Sequence, residues 1–223
     1  MLLAAKRRAS GELLQDLIAR NGVSGYVEGM LTFAAAVFFL IITPGPGVLS
    51  TAGVGSGFGF SAGLRYVLGL FFGSNLVAVL VVSGLAAAVL AVPMLRVVLL
   101  YASAAYLFYL AMRIAFAGSK VAFIERSQPP GIGGGVLLQV INPKAYAVST
   151  ALFSGFAFLP EAAALEVALK FLILNLIWVP IHLGWLWAGV SLHRLDLSDR
   201  AQFAINMVMA LSMLAVVALA ALS

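Results

Sequence analysis

Between Glu28 and Arg65 the chain carries no Asp, Glu, Lys or Arg, and two further charge-free runs separate Arg65 from Arg96 and Arg96 from Arg113. Each run holds a helix of about 20 residues, the length that crosses roughly 30 Å of hydrocarbon. The pattern predicts spans over 31–53, 66–90 and 94–116 in the first half, and over 131–156, 167–190 and 201–221 in the second. The fourth is the least regular, because Pro143 and Lys144 interrupt it and leave open a shorter helix or a re-entrant segment. Ahead of the first span, residues 12–20 place Leu13, Leu14, Leu17 and Ile18 on helical spacing, which predicts a short surface helix.

Composition turns these helices into membrane spans. Of 223 residues, 63% are hydrophobic and only 9% charged, with a mean hydropathy of +1.11. A soluble domain carries roughly 25% charged residues, and this chain has too few to cover a water-facing surface. Cysteine is absent, which excludes disulfides, thiolate catalysis and cysteine-ligated metals. The net charge of +5 comes from residues scattered between apolar blocks, the distribution of topology determinants and not of a nucleic-acid surface. The loops after spans one, three and five hold Arg65, Arg113, Lys120, Arg126, Arg194 and Arg200, whereas those after two and four hold Arg96 and Lys170. Six spans put both termini on one side, and this bias puts that side outside the cytoplasm. Lys6, Arg7, Arg8 and Arg20 oppose it, although Met30, just before the first span, is a candidate start of translation. No secretory cleavage signal is evident in the leading segment.

One phrase occurs twice. IITPGPGVLSTA at 41–52 and VINPKAYAVSTA at 140–151 align at an offset of 99: Ile42 with Ile141, Pro44 with Pro143, and Ser50-Thr51-Ala52 with Ser149-Thr150-Ala151. One span later Asn75-Leu76-Val77 echoes Asn175-Leu176-Ile177 at an offset of 100. A repeat of three spans enters the membrane from opposite sides in its two copies. The expected fold is therefore an all-α polytopic membrane protein of six transmembrane helices in two inverted three-helix repeats, with the first and fourth helices broken. The corresponding organisation is an N-terminal extension (1–29), a first repeat (30–120), a polar linker (121–130) and a second repeat (131–223).

The repeated phrase also breaks helices where lipid tolerates it least. Pro44 and Pro46 lack N–H groups and their rings clash with carbonyls one turn earlier, while Gly45 and Gly47 let the backbone leave helical geometry. Each freed carbonyl costs several kcal/mol in hydrocarbon, so a break faces protein or a wet cavity. The two breaks are expected to meet near mid-depth, where exposed helix ends receive a zwitterion's carboxylate. Simple kinks for packing are the alternative.

Lys144 is read as the one charged residue well inside a span, at an insertion cost of about 2.5–3.5 kcal/mol. It is either a cation aimed at a substrate carboxylate or gate, or a span-end lysine reaching the headgroups. Asn75 and Asn175 either bond across helices or donate to a substrate. Thr43 and Asn142 precede the breaks and suit capping or ligation of the broken ends, while Ser50, Thr51, Ser149 and Thr150 can bond back to their own helices. Gly69-x-x-x-Gly73 fits close helix packing. Trp178, Trp185 and Trp187 read as bulk or interfacial anchors. His182 is the histidine within a span and a candidate proton relay; His193 falls in a polar loop. No acidic residue lies deep in a predicted span. Phosphate-binding Gly-rich loops, His-Glu-x-x-His and Gly-x-Ser-x-Gly are all missing, so neither ATP hydrolysis nor an intramembrane enzyme is expected.

Thr43-Pro44-Gly45-Pro46 with Asn142-Pro143-Lys144, the glycine-rich stretch 59–73 (GFSAGLRYVLGLFFG) and Ala105-Tyr106-Leu107-Phe108-Tyr109-Leu110 before Ala111-Met112-Arg113 together resemble the LysE/RhtB superfamily of amino-acid exporters, over roughly residues 31–221. The chain departs from that pattern at Ser74-Asn75, where relatives often carry a polar or acidic residue after the glycine, and at Ala111, where glycine is usual. The resemblance implies a bacterial inner-membrane antiporter that moves amino acids outward in exchange for protons. It implies a central cavity lined by Pro44, Gly45 and Pro46 opposite Asn142, Pro143 and Lys144; Thr43, Asn75 and Asn175 join them as candidate substrate ligands on their own chemistry. With no deep carboxylate to neutralise a basic side chain, a neutral or modestly polar amino acid or derivative is the expected substrate. The expected partners are that small molecule, the lipid bilayer and protons, with a homo-oligomer compatible and no nucleic acid, metal or cofactor. The competing readings are a carrier of another small solute or ion on the same scaffold and a non-transporting assembly protein.

Overall fold

The computed structural model describes residues 2–115 and 128–193, together with 200, 201, 203–205, 207, 208 and 211. Among the described residues the chain is all-helical. The elements run α1 (Leu2–Ile42), α2 (Pro46–Val82), α3 (Leu85–Leu90), α4 (Pro93–Ala115), α5 (Ile132–Ile141), α6 (Pro143–Gly155), a 3₁₀ turn (Pro160–Ala162) and α7 (Ala163–His193). Among the described residues four stretches are long and apolar enough to cross a membrane: Gly22–Ile42, Pro46–Val82, Pro93–Ile114 and Pro160–Leu192. The described residues of 200–211 are helical; most of the sixth expected span, and residues 116–127 and 194–199 with Lys120, Arg126 and Arg194, lie outside the described residues.

Helix boundaries depart from the expected spans where the backbone finds a cheaper solution. Residues 12–20 belong to the continuous α1 and form no separate short helix. The loop expected over 54–65 is replaced by one residue, Gly59, which leaves helical geometry at φ 78°, a region open to glycine without a Cβ clash. The two arms of α2 fold back on each other there. Tyr66 donates to Ser50 Oγ at 3.0 Å, although sixteen residues of straight helix would separate them by about 24 Å. Arg65 consequently sits on an exposed helical face and not in a loop. The second expected span stops at Val82, where Ser83 and Gly84 turn the chain into α3. The fourth divides as its sequence suggests, into α5 and α6 either side of Asn142.

Tight helix contacts hold this arrangement. Gly69 and Gly73 of α2 face α5, and Gly135 of α5 faces back. A Cβ at Gly73 would stand 2.7 Å from Gln139 Cβ, and one at Gly135 would collide with Tyr66 O and lie 2.6 Å from Leu70 N. Such glycines let backbones approach where lipid offers no hydrophobic push between helices. One buried cluster joins α2, α4, α5 and α7 through Tyr66, Leu70, Leu107, Leu138, Trp178 and Leu186. A second joins α1, α6 and α7 through Phe33, Val37, Leu152 and Leu174. Outside, large apolar side chains such as Phe39, Tyr101, Leu176 and Trp187 are exposed, while Ser50, Thr51, Gln139, Asn142 and His182 are buried. An exterior this apolar suits contact with lipid.

Two charged residues need correction. Lys170, counted among loop cations, is buried in α7, where its ammonium pairs with Glu166 at 2.7 Å and donates to Phe153 O at 3.2 Å. Glu166 also accepts from the backbone amides of Phe158 and Leu159. An ion pair is therefore buried near the start of α7, with Lys170 at the beginning of the expected span 167–190 and Glu166 one residue before it. The pair forms because one helical turn brings residues four apart onto one face.

Candidate functional site

Both breaks are built by proline chemistry. Helix α1 ends at Ile42 because Pro44 and Pro46 cannot donate to carbonyls a turn earlier. Extended Gly45 then starts α2 with Pro46 at its first position, and no side chain caps that start. In the second half Asn142 ends α5 and begins α6, its Oδ1 accepting from the Lys144 amide at 3.1 Å. Thr43 does not cap α2; its hydroxyl turns back to Phe39 O at 2.5 Å.

The breaks meet. Lys144 Nζ donates to the Thr43 carbonyl at 2.9 Å, across 101 residues of sequence. That carbonyl lies at the C-terminal end of α1, where the helix dipole is negative and a cation is stabilised. Lys144 thus supplies a donor to a carbonyl that the Pro44–Pro46 break exposes. Gly45 is small for the same reason, since a Cβ there would stand 2.8 Å from Nζ.

Around this contact lies a partly open pocket, enclosing about 590 Å³ of space when its open mouth is included. Its polar wall comprises Thr43, Ser74, Gln139, Asn142, Lys144, Ser149 and His182; its apolar wall comprises Leu40, Ile41, Val48, Ala145, Val148, Leu152, Leu174 and Trp178; Gly45 and Gly47 complete it. No carboxylate lines the cavity among the described residues. A hydrogen-bonded line crosses it: Gln139 Nε2 donates to Ser74 Oγ at 2.5 Å, Asn142 Nδ2 donates to Gln139 Oε1 at 3.2 Å, and Asn142 accepts from Lys144 N. His182 is buried and stacks on Trp178 with ring centroids 3.5 Å apart. Its Nδ1 is 3.0 Å from Trp178 O.

Of the residues singled out in the sequence, Thr43, Gly45, Asn142, Lys144 and His182 share this cavity. Pro44 and Pro143 are exposed and Pro46 is buried, and none of the three lines it. The prolines shape the backbone while their neighbours face inward. Asn75 and Asn175 lie outside the lining and bond each other across α2 and α7. Ser50 and Thr51 bond back to Gly47 O at 3.0 and 2.8 Å. Sequence reasoning missed Gln139, Ser74 and the placement of Trp178 at the cavity. Gln139 had a usable signal, an amide within the otherwise apolar IGGGVLLQVI of α5.

The chain matches the LysE type translocator family over residues 38–223. It is 29% identical over 187 residues to a leucine efflux protein of Salmonella choleraesuis, covering 75% of this chain and 86% of that one. It is 27% identical over 153 residues to a leucine efflux protein of Enterobacter sp., covering 64% and 69%. An uncharacterized membrane protein of Pseudomonas aeruginosa is 29% identical over 174 residues, 69% of this chain and 80% of its own. No solved structure matches the chain.

Proposed function

This chain belongs to the LysE type translocator family, and from that premise we propose that it exports a neutral or modestly polar amino acid, or a derivative of one, across the bacterial inner membrane by alternating access in exchange for protons. It is a multi-pass membrane transporter and not an enzyme. The observation that carries the proposal is the junction of the two breaks, with Lys144 on the Thr43 carbonyl at the wall of one cavity. Ligand sites of carriers form where interrupted helices expose their ends. The apolar wall and the missing carboxylate favour an uncharged side chain, and the relatives named for leucine efflux support an aliphatic one.

In this reading the substrate carboxylate takes Lys144 from Thr43 and meets the uncapped first turn of α2 at Gly47 and Val48. Gln139 and Asn142 orient the polar head, and the side chain lies against Val148, Leu152 and Leu174. Removing the Lys144–Thr43 contact loosens the junction of α1 and α6 and lets the two three-helix halves, 30–120 and 131–223, rock against each other. The inverted repeat is supported by the mutual Asn75–Asn175 bonds and by the matching bonds of each asparagine to Phe71 O and Phe171 O. A six-span fold with periplasmic termini fits the distribution of basic residues, which keeps its bias when Arg65 leaves the favouring count and Lys170 the opposing one.

Counterflow of labelled leucine, methionine, threonine and lysine into proteoliposomes at several pH gradients tests the proposal. Saturable exchange of the uncharged members, stimulated by an opposing proton gradient, is expected. Absence of exchange for all four in correctly inserted protein would refute it.

A further inference from the structure

His182 carries a buried acceptor that no described group uses. The Trp178 carbonyl can only accept, so the Nδ1 facing it bears the hydrogen, and the lone pair of the neutral ring sits on Nε2. Stacking on Trp178 holds the ring in place. Nε2 looks toward the bare Cα of Gly47, where an added Cβ would lie 3.5 Å from it and 3.7 Å from Gln139 Nε2. The niche is therefore open only because residue 47 is glycine. A buried polar atom without a partner is costly, which suits one that receives a transient donor.

Two donors fit. Among the described residues lining the cavity only Lys144 and His182 are ionisable; α1, α2 and α5 contribute none, and α6 contributes only Lys144, whose ammonium is engaged at Thr43. On α7, Glu166 and Lys170 are paired with each other. With no carboxylate in the lining, the Nε2 lone pair is the strongest base available to a substrate ammonium. It is equally the place where a proton binds.

Resting on the exporter reading, we infer that His182 Nε2 is held alternately by the substrate's primary ammonium and by a proton, and that this mutual exclusion couples their fluxes. The ammonium donates one hydrogen bond to Nε2 during the outward passage. After the substrate leaves, a proton from outside binds the same lone pair. The resulting imidazolium repels a second ammonium and returns inward, where the proton departs to the cytoplasm. One proton enters for each zwitterion exported, and one positive charge moves inward per cycle.

The experiment uses leucine, N-acetyl-leucine and 4-methylpentanoate, which lacks the amino group, as probes in proteoliposomes. Both analogues are expected to compete with leucine about tenfold less well or worse, a comparison that needs no variant. His182→Gln keeps an acceptor near the Nε2 position but cannot take a proton; it should lower gradient-driven accumulation by at least tenfold more than it lowers leucine–leucine exchange, whereas a merely structural loss would lower both alike. Gly47→Ala fills the niche with a methyl in ordinary contact with Nε2, without displacing the ring, and should weaken leucine binding about tenfold at normal yield. Full gradient-driven accumulation by His182→Gln, wild-type affinity in Gly47→Ala, or equal competition by N-acetyl-leucine would overturn the inference while leaving the exporter reading intact. Wild-type vesicles that exchange no amino acid overturn both.

Discussion

Asn75 and Asn175, one hundred residues apart, exchange two amide hydrogen bonds of 3.0 and 2.9 Å, and each also donates to the carbonyl four residues before it. Under the proposed inverted repeat, mutual bonds of this kind put the pair on the two-fold axis, as in an isologous contact. Interhelical bonds of this kind average about 0.6 kcal/mol and reach about 1.7. Asn75→Ala should therefore lower stability by about 1 kcal/mol. The double variant Asn75→Ala/Asn175→Ala should be little worse, because the first change already breaks both mutual bonds. Thermal unfolding in detergent measures this; strictly additive losses would count against a shared pair.

Lys144→Ala removes a charged donor that is worth about 1.5–3 kcal/mol when its partner is ionised. The expected effect is a rise of about tenfold or more in the substrate concentration for half-maximal exchange, read from counterflow, with insertion unchanged. Unaltered affinity would assign Lys144 to the α1–α6 junction alone.

Pro44→Ala/Pro46→Ala restores two backbone donors and lets α1 continue toward α2. The Thr43 carbonyl then has a helical partner and Lys144 loses its acceptor. Flux in proteoliposomes should fall about tenfold or more, a barrier change near 1.4 kcal/mol, while membrane insertion persists. Full flux would show that the broken geometry is dispensable.

Gly135→Ala and Gly133→Ala separate packing from helix propensity within one helix. The first drives a methyl into the α2 backbone at Tyr66 O and Leu70 N, whereas nothing lies within 4 Å of the second. Overpacking costs about 1–3 kcal/mol, so Gly135→Ala should lower the unfolding temperature, and Gly133→Ala should hold or raise it slightly. Equal effects would contradict the α2–α5 contact.

Glu166→Leu should be more damaging than Lys170→Met. Without Glu166, a buried ammonium retains Phe153 O and the rings of Phe33 and Phe158 but no countercharge, and two backbone amides lose their acceptor; without Lys170, the carboxylate keeps both amides. Breaking a buried pair costs about 3–5 kcal/mol. Expression yield and unfolding temperature give the order, and a reversed order would refute this account of the cluster.

The break positions were legible in the chain because proline acts locally. A missing N–H and a ring clash disrupt a helix in any tertiary setting, and aligned Pro44 and Pro143 marked both sites. Charge-free runs likewise located the apolar helices, since chain length alone relates them to hydrocarbon thickness. Which side chains enter the cavity was a different matter. A helix turns about 100° per residue, so the rotation set by neighbouring helices decides whether Pro143 or Lys144 faces inward. That rotation rests on contacts such as Gly73 against Gln139 and Gly135 against Tyr66, which join residues far apart in sequence. It turned Pro44 and Pro143 outward, brought Gln139 and Ser74 to the wall, and stacked Trp178 on His182. The fold-back at Gly59 and the burial of Lys170 on Glu166 were decided the same way. Local chemistry determined where the backbone had to break; only long-range packing determined what those breaks surround.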